Sequence, residues 1–189
     1  MKQYKQTIIL ASQSPRRRQL LRTLKIKFRV IPANIREDLG VKFSVKKLKK
    51  VALDKAEYVA KRFKNGIVIS ADTVVVVKGK IYGKPKTLSN AKKMLKELSG
   101  TVQDVWTAVA MKNIEKNKVI LGTCKSKIKM RILNDDEISY LANKNLDKAG
   151  GYGIQEDDKY LKVLGGSYTN IVGFPMELVK KMLKRITLP

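Results

Sequence analysis

The spacing of apolar residues along the chain changes between the period of a strand and the period of a helix. Runs of β-branched and other apolar residues predict strands at three places: residues 6–11, 28–31 and 67–77. Apolar periodicity and helix-end signals predict three long helices: residues 44–63, 89–98 and 175–185. Residues 102–133 alternate between apolar and polar side chains, which predicts two antiparallel strands that turn near residues 115–117. Because strands and helices interleave, we predict an α/β fold in which helices flank a mixed, twisted sheet, with the antiparallel hairpin as an extension.

One acidic residue lies within the apolar run at residues 67–77. Asp72 stands between Ala71 and Thr73 in an otherwise β-branched segment, and burying a carboxylate without a partner is costly. Desolvation should raise the pKa of Asp72 unless a cation or a metal compensates. We expect an interruption of the strand here. At a strand end Asp72 could act as a general base, bind a metal or simply cap a turn.

The composition limits the chemistry that the chain can perform. Its 189 residues show no internal repeat and no linker-like tract, so we predict one domain over residues 1–189. The single cysteine excludes a disulfide within the chain, and the absence of histidine excludes Ser–His and Cys–His catalysis. Any catalysis must therefore use carboxylates, lysines, arginines and a bound metal. No apolar run approaches the length of a membrane span, and we expect a cytoplasmic protein.

The distribution of basic residues along the chain indicates one candidate binding site. The formal net charge of +25 favours phosphate-rich partners, although a solvated lysine surface is the simpler explanation for most of it. Arginine is scarce, yet four of the nine arginines lie between Arg16 and Arg22, directly after the helix-start signal Ser14–Pro15. Helix starts attract anions, and guanidinium groups bind phosphate oxygens through paired hydrogen bonds. We predict a phosphate site here, with Arg18 as the arginine that faces solvent.

Two further loops carry signals of ligand binding. Residues 148–155, Lys-Ala-Gly-Gly-Tyr-Gly-Ile-Gln, hold three glycines in four positions, which permits close approach of the backbone to a ligand. The amide of Gln155 can pair with an adjacent N–H and C=O edge, as uracil and thymine present; a plain glycine turn is the alternative. Lys84 lies in a rigid Gly-Lys-Pro turn. Together these features indicate nucleotide hydrolysis or transfer without histidine.

The same motifs occur together, in the same order, in a known family. The chain resembles the Maf family of nucleoside triphosphate pyrophosphatases, once named for inhibition of septum formation. The resemblance runs from Ile8 to Leu183 and rests on six segments: LASQSPRR (10–17), SADTVVV (70–76), GKP (83–85), LSG…V.TAV (98–109), KAGGYGIQ (148–155) and GSYTNIVGFP (166–175). It implies a Maf/ITPase-like sheet with the active-site cleft along it, a homodimer, and a divalent metal, Mg²⁺ or Mn²⁺. It also implies hydrolysis of a nucleoside triphosphate between the α and β phosphates, which yields a monophosphate and pyrophosphate.

By matching positions, the resemblance implies roles for nine residues. Asp72 would accept the proton of the attacking water, and Glu37 would join Asp72 at the metal. Lys55 and Lys84 match lysines of the family that neutralise phosphate charge. The other matches are substrate-binding residues. Ser12, Arg16 and Arg17 would contact the phosphates. Arg16 also belongs to the positions that select the base, together with Thr73 and Gln155. Thr73 and Gln155 match the branch of the family that prefers dTTP and UTP.

Three features depart from the family pattern. Gln103 stands where the family commonly has histidine, Glu156 stands where it often has glycine, and the segment at residues 34–37 is less acidic than usual. An amide at position 103 can replace the hydrogen bonding of an imidazole, and Glu156 changes the charge of the glycine-rich loop. The alternative to an enzyme is a basic nucleic-acid-binding or cell-division regulatory protein without turnover. Few aromatic residues are present to stack on bases, and bulky apolar membrane anchors are lacking, so we expect neither nucleic acid nor membrane as a partner.

Overall fold

Seven strands form one mixed sheet in the part of the chain that the computed structural model describes, residues 6–40 and 42–188. In chain order the strands are β1 (Ile8–Leu10), β2 (Phe28–Val30), β3 (Ile67–Val77), β4 (Lys80–Tyr82), β5 (Val102–Asn113), β6 (Lys118–Met130) and β7 (Leu161–Gly165). Their spatial order is β2–β1–β3–β5–β6–β7, and β4 pairs with the end of β3. β1 is parallel to β2 and β3, and the other pairs are antiparallel. The predicted mixed sheet is therefore confirmed, with β5 and β6 as its hairpin.

Six α-helices occur in the same described residues, and most begin at a capping side chain. They are α1 (Pro15–Arg22), α2 (Val45–Ala60), α3 (Leu88–Leu98), α4 (Asp135–Lys144), α5 (Tyr168–Ile171) and α6 (Met176–Thr187). Five of them start after a side chain that accepts a hydrogen bond from the N–H three residues on: Ser14, Ser44, Thr87, Asn134 and Ser167. α2 ends at Ala60, before the predicted residue 63, because the N–H groups of Arg62 and Phe63 bond three residues back and tighten the turn. Among the described residues, no helix combines the length and the apolarity needed to cross a bilayer.

β3 is continuous, so the predicted interruption at Asp72 is wrong. One edge of β3 pairs with β5 from Ile67 to Val76, including Asp72 opposite Ala108. The other edge pairs with β1 only as far as Ile69, and with β4 only from Val75 onward. Between these partners, residues 70–74 face a gap in the sheet. Asp72 thus lies in the middle of a strand, at an edge that has been left open by its neighbours.

Helices cover both faces of the sheet and leave this gap accessible. α2 packs through small residues such as Ala52 against even-numbered residues of β3 such as Val68. α1 and α6 pack on the opposite face against odd-numbered residues such as Ile69. α3 and α4 cover the far half of the hairpin around Ile128. Since β-strand side chains alternate, Asp72 points toward α2 and Thr73 points toward the opposite face.

Candidate active site

A cleft of about 660 Å³ opens at the free edge of β3, between α1, α2 and the loop of residues 147–156. This volume lies in the range that small-molecule sites commonly occupy. The nine residues predicted from the sequence all line it: Ser12, Arg16, Arg17, Glu37, Lys55, Asp72, Thr73, Lys84 and Gln155. The structure thus brings the predicted site residues together at one place. Their chemical roles stay predictions.

Lys55 lies between two carboxylates on the α2 side of the cleft. Its Nζ is 2.5 Å from Asp72 Oδ1 and 2.7 Å from Glu37 Oε1. Residue 55 falls on the same buried stripe of α2 as Ala52 and Ala56, so the helix directs the lysine toward the sheet. Lys55 and Asp72 are only 7% and 4% exposed, whereas Glu37 reaches in from an exposed segment. Lys55 therefore supplies the cation that a buried Asp72 requires.

The pKa values of the two carboxyls, Asp72 and Glu37, are shifted in opposite directions. Burial raises the pKa of Asp72; Lys55 opposes this effect and the negative charge of Glu37 adds to it. Burial is the largest single influence on Glu37 and acts to raise its pKa, but Lys55, Lys84 and Arg17 together outweigh it, and the pKa is lowered. Partial burial lowers the pKa of Lys84, and the positive charge of Arg17 acts in the same direction. A carboxyl with raised proton affinity next to one that stays ionised is an arrangement suited to general-base chemistry.

Thr73 forms the opposite wall of the cleft. Its Oγ1 lies 3.0 Å from Thr107 Oγ1 on β5 and accepts a hydrogen bond from Arg17 Nη2 at 3.0 Å. It also donates to the carbonyl oxygen of Gly173 at 3.3 Å. These contacts fix the hydroxyl of Thr73 at the free edge of β3. Neighbouring residues of one strand thus contribute to the cleft from both faces of the sheet.

Arg17 makes four hydrogen bonds to the protein itself. Nε donates to Gly173 O at 2.9 Å, Nη1 donates to Ala71 O at 2.7 Å and Ser12 Oγ at 3.3 Å, and Nη2 donates to Thr73 Oγ1. A guanidinium carries five N–H donors, so four are used inside the chain. Arg17 thereby joins α1 to the open edge of β3, where the carbonyl of Ala71 faces the gap. The arginine-rich segment predicted phosphate binding for Arg17 and did not indicate this structural role.

Replacing Arg17 with lysine should lower the free energy of unfolding by roughly 1–3 kcal/mol, because one ammonium cannot reach all four acceptors. Urea unfolding monitored by tryptophan fluorescence measures the change. Arg22 is exposed on the same helix, and Arg22→Lys should change stability by less than about 0.5 kcal/mol. Equal stabilities of the two variants would contradict the structural role of Arg17.

The other two arginines of the run lie in different surroundings. Arg16 lines the cleft, and its Nη1 donates to Asp147 Oδ2 at 2.9 Å, which ties α1 to the start of the glycine-rich loop. Sequence reasoning did not identify Asp147, although an acidic residue directly before that loop was a visible signal. Arg18 lies outside the cleft and lines a separate surface pocket with Arg22 and Lys27. Arg18 is partly buried there, so the expectation that it simply faces solvent was too simple.

The glycine-rich loop forms the remaining wall and rests on Tyr152. Gly150 has φ +75°, and a Cβ there would lie 2.6 Å from the Tyr152 ring, so this position requires glycine. Tyr152 Oη donates to Gln103 Oε1 at 2.7 Å, and Gln103 Nε2 donates to Leu98 O at 3.1 Å. The glutamine that departs from the family pattern therefore supports the loop by hydrogen bonding. Gln155 is exposed at the cleft.

Comparison with known proteins gives consistent matches over nearly the whole chain. Residues 7–186 match the family model described as "Maf-like protein". The dTTP/UTP pyrophosphatase of Elusimicrobium minutum is 43% identical over 178 residues, which cover 94% of this chain and 97% of that protein. The dTTP/UTP pyrophosphatase of Dictyoglomus thermophilum is 41% identical over 187 residues, which cover 96% and 97%. The Staphylococcus aureus Ham1 protein has a similar structure, with a TM-score of 0.55 at 17% identity, covering 95% of this chain and 98% of that one. At this identity the likeness concerns the fold alone.

Proposed function

The chain belongs to the Maf-like protein family, and we propose that it is a nucleoside triphosphate pyrophosphatase that hydrolyses UTP and dTTP to the monophosphate and pyrophosphate. Relatives at 40–43% identity over most of the chain carry the name dTTP/UTP pyrophosphatase. The observation that carries the proposal is the buried Lys55–Asp72 pair with Glu37 beside it, in a cleft lined by cationic residues. Such a site binds a polyphosphate and activates water without histidine.

Asp72 is the residue that we assign as proton acceptor. Lys55 bonds to Oδ1 of Asp72, so a water molecule can transfer its proton to the other carboxylate oxygen. The raised pKa of Asp72 increases its basicity, while the ammonium of Lys55 orients the carboxylate. Lys84, whose pKa is lowered, lies at the same cleft and can neutralise charge on a phosphate. The start of α1, with Ser12 and Arg16, offers N–H and guanidinium donors for the remaining phosphate oxygens.

The two carboxylates also fit a divalent cation. Asp72 and Glu37 both bond to the ammonium of Lys55, at 2.5 and 2.7 Å, so the two carboxylates lie close enough together to share a cation beside it. Mg²⁺ and Mn²⁺ prefer oxygen ligands, and Mg²⁺ commonly uses one or two carboxylates together with substrate phosphates. When bound, such an ion would polarise a phosphoryl oxygen and neutralise negative charge. Because the described residues hold no group of three or more Asp, Glu, His or Cys side chains suited to a metal, phosphate oxygens would complete its coordination.

The base would lie on the Thr73 side of the cleft. Gln155 and Arg16 line the same cleft as Thr73, and the amide of Gln155 matches the N–H and C=O edge of uracil and thymine. The family resemblance places the same three residues at the positions that select the base. A homodimer, which that resemblance implies, and a cytoplasmic location, which the sequence led us to expect, belong to the same proposal.

The decisive experiment is a panel of the eight common ribonucleoside and deoxyribonucleoside triphosphates, assayed with Mg²⁺ and with Mn²⁺. UTP and dTTP should give the monophosphate and pyrophosphate, with the highest kcat/KM of the panel. Product chromatography separates this cleavage from release of a single phosphate. Absence of turnover of every triphosphate would contradict the proposal.

The net charge of +25 is the observation that favours a second function, nucleic-acid binding without turnover. It requires duplex binding at physiological salt that weakens steeply as salt rises, in a protein that turns over no triphosphate. Filter-binding or anisotropy titrations over a salt series, run beside the hydrolysis panel, separate the two functions.

A further inference from the structure

A buried carboxylate behind the cleft holds the loop that carries Gln155. Asp157 is 0% exposed, and its Oδ2 accepts hydrogen bonds from Gly153 N at 2.8 Å and Asn145 Nδ2 at 2.9 Å. Its Oδ1 accepts a hydrogen bond from Lys144 Nζ at 3.3 Å. A carboxylate buried this fully is retained only with such partners, and removing them is costly. Asp157 therefore joins the backbone of Gly153 to the side chains of Asn145 and Lys144.

Backbone hydrogen bonds close the same segment into a turn. The N–H groups of Asp157 and Glu156 both donate to Gly153 O, at 2.9 and 3.0 Å. Because the Asp157 side chain also accepts from Gly153 N, residues 153 and 157 are joined through both main chain and side chain. Gln155 lies in the middle of this turn with its side chain exposed at the cleft. The contact between residues 153 and 157 consequently sets where Gln155 stands.

Lys148 supports the turn from the other side. It is 5% exposed, and its Nζ donates to Asn145 Oδ1 at 2.5 Å and to Glu156 Oε2 at 2.9 Å. The amide of Asn145 thus joins Lys148 to Asp157 through its two ends. A Cβ on Gly153 would lie 2.8–3.0 Å from the end of the Lys148 side chain, so the lysine fills the space beneath the turn. This network includes Glu156, the residue that departs from the family pattern.

Selection between pyrimidines requires that the amide of Gln155 be held in place. A carboxamide presents a donor and an acceptor side by side, and a half-turn about its last bond exchanges them. Uracil offers a carbonyl at position 4, whereas cytosine offers an amino group there. An amide that turns freely could serve both bases. A fixed backbone at residue 155 restricts the side-chain rotamers that can reach the base, and in this way it supports a preference for uracil.

We propose that Asp157 is a positioning residue for pyrimidine selection, because its buried carboxylate fixes the 153–157 turn that presents Gln155 to the base. This inference rests on the proposed pyrophosphatase function. It predicts that weakening the turn alters discrimination between uracil and cytosine more than it alters the chemical step. Asp157 touches the loop and not the substrate, so its effect is transmitted through Gln155.

The test compares Asp157→Ala and Asp157→Asn in steady-state hydrolysis of UTP and CTP. In Asp157→Ala the ratio of kcat/KM for UTP over CTP should fall at least about tenfold, the order of effect that misplaced binding groups produce. The fall should come mainly from a higher KM for UTP, with kcat changed less than about threefold. Asn retains an acceptor for Gly153 N, so in Asp157→Asn the UTP/CTP ratio should fall by only about threefold, which is a partial rescue.

Asp158 is the matched control, because it is the next residue of the same segment and is exposed. Asp158→Ala should keep the wild-type ratio. A folded Asp157→Ala protein with an unchanged ratio, or with equal losses of kcat on both substrates, would overturn the inference. If Asp157→Ala fails to fold, the isosteric Asp157→Asn provides the test, and an unchanged UTP/CTP ratio in that variant would overturn the inference. If the wild-type protein hydrolyses no triphosphate, the proposed function fails and this inference fails with it.

Discussion

Replacing Asp72 with asparagine should lower kcat for UTP hydrolysis by about 10²–10⁴-fold, the range that a general base contributes. Asparagine keeps the size of the side chain and an acceptor for Lys55, but it does not take the proton of a water molecule. Lys55 would still pair with Glu37, 2.7 Å away, so the ammonium keeps a counter-charge and the fold should persist. Initial rates of pyrophosphate release at saturating UTP measure the loss.

Asp104→Asn is the control for this change. Asp104 lies on β5 opposite Val76 of β3 and pairs with Lys125 at 2.8 Å. The variant therefore removes a charge from the neighbouring strand and from a more exposed ion pair, at a residue that does not line the cleft. It should retain kcat close to that of the wild type. An Asp72→Asn protein with wild-type thermal stability and a kcat within about threefold of the wild type would remove Asp72 from its assigned role.

The part of the fold that depends on local sequence patterns could be predicted. Alternation along residues 102–133 is a local property, and it predicted the hairpin whose strands pair from Val102–Lys129 to Asn113–Lys118. The Ser14–Pro15 signal likewise predicted the start of α1, since capping involves residues three apart. The continuity of β3 could not be predicted, because an aspartate in a strand argues against burial until its partner is known. That partner, Lys55, lies on another element.

The composition of the site was predicted more completely than its contacts. Motif matching identified nine residues that all line the cleft, including Glu37, which no local pattern distinguishes. The contacts are tertiary: Arg17 bonds to Gly173, 156 residues away in the chain, and Asp157 bonds to Asn145 from the far end of a loop. Nothing in the spacing of these residues encodes such pairings. An arginine beside a phosphate and an arginine beside a carbonyl group look the same in sequence.

Replacing Lys55 with methionine should lower the free energy of unfolding by roughly 3–5 kcal/mol near pH 8, the cost of leaving a buried charge without its partner. It should also reduce kcat by at least about 10²-fold, because Asp72 loses the group that orients it. Burial already raises the pKa of Asp72, and Lys55 opposes that effect, so the variant should raise this pKa further. Unfolding in urea, followed by the fluorescence of Trp106, the only tryptophan of the chain, measures stability at pH 5 and pH 8.

The sign of the pH dependence follows from proton uptake. In the variant, folded Asp72 holds a proton above the ordinary carboxyl pKa of about 3.9, where the unfolded chain has released it. Stability of Lys55→Met should therefore fall as pH rises through the raised pKa, and its deficit relative to the wild type should be smaller at pH 5 than at pH 8. Lys50→Met, which removes an exposed lysine of the same helix paired with Asp54, should change stability by less than about 0.5 kcal/mol. A deficit independent of pH, or no larger than that of Lys50→Met, would contradict the compensating role of Lys55.

Combining the two substitutions separates charge compensation from catalysis. In Lys55→Met/Asp72→Asn no uncompensated charge is buried at this position, and replacing both members of a buried pair is often close to neutral for stability. The double variant should therefore recover most of the stability lost in Lys55→Met and show a weaker dependence on pH. It should not recover hydrolysis, since the proton acceptor is absent. Recovery of stability without recovery of kcat would show that Lys55 stabilises the fold by compensating the charge of Asp72, and that Asp72 is required for the reaction.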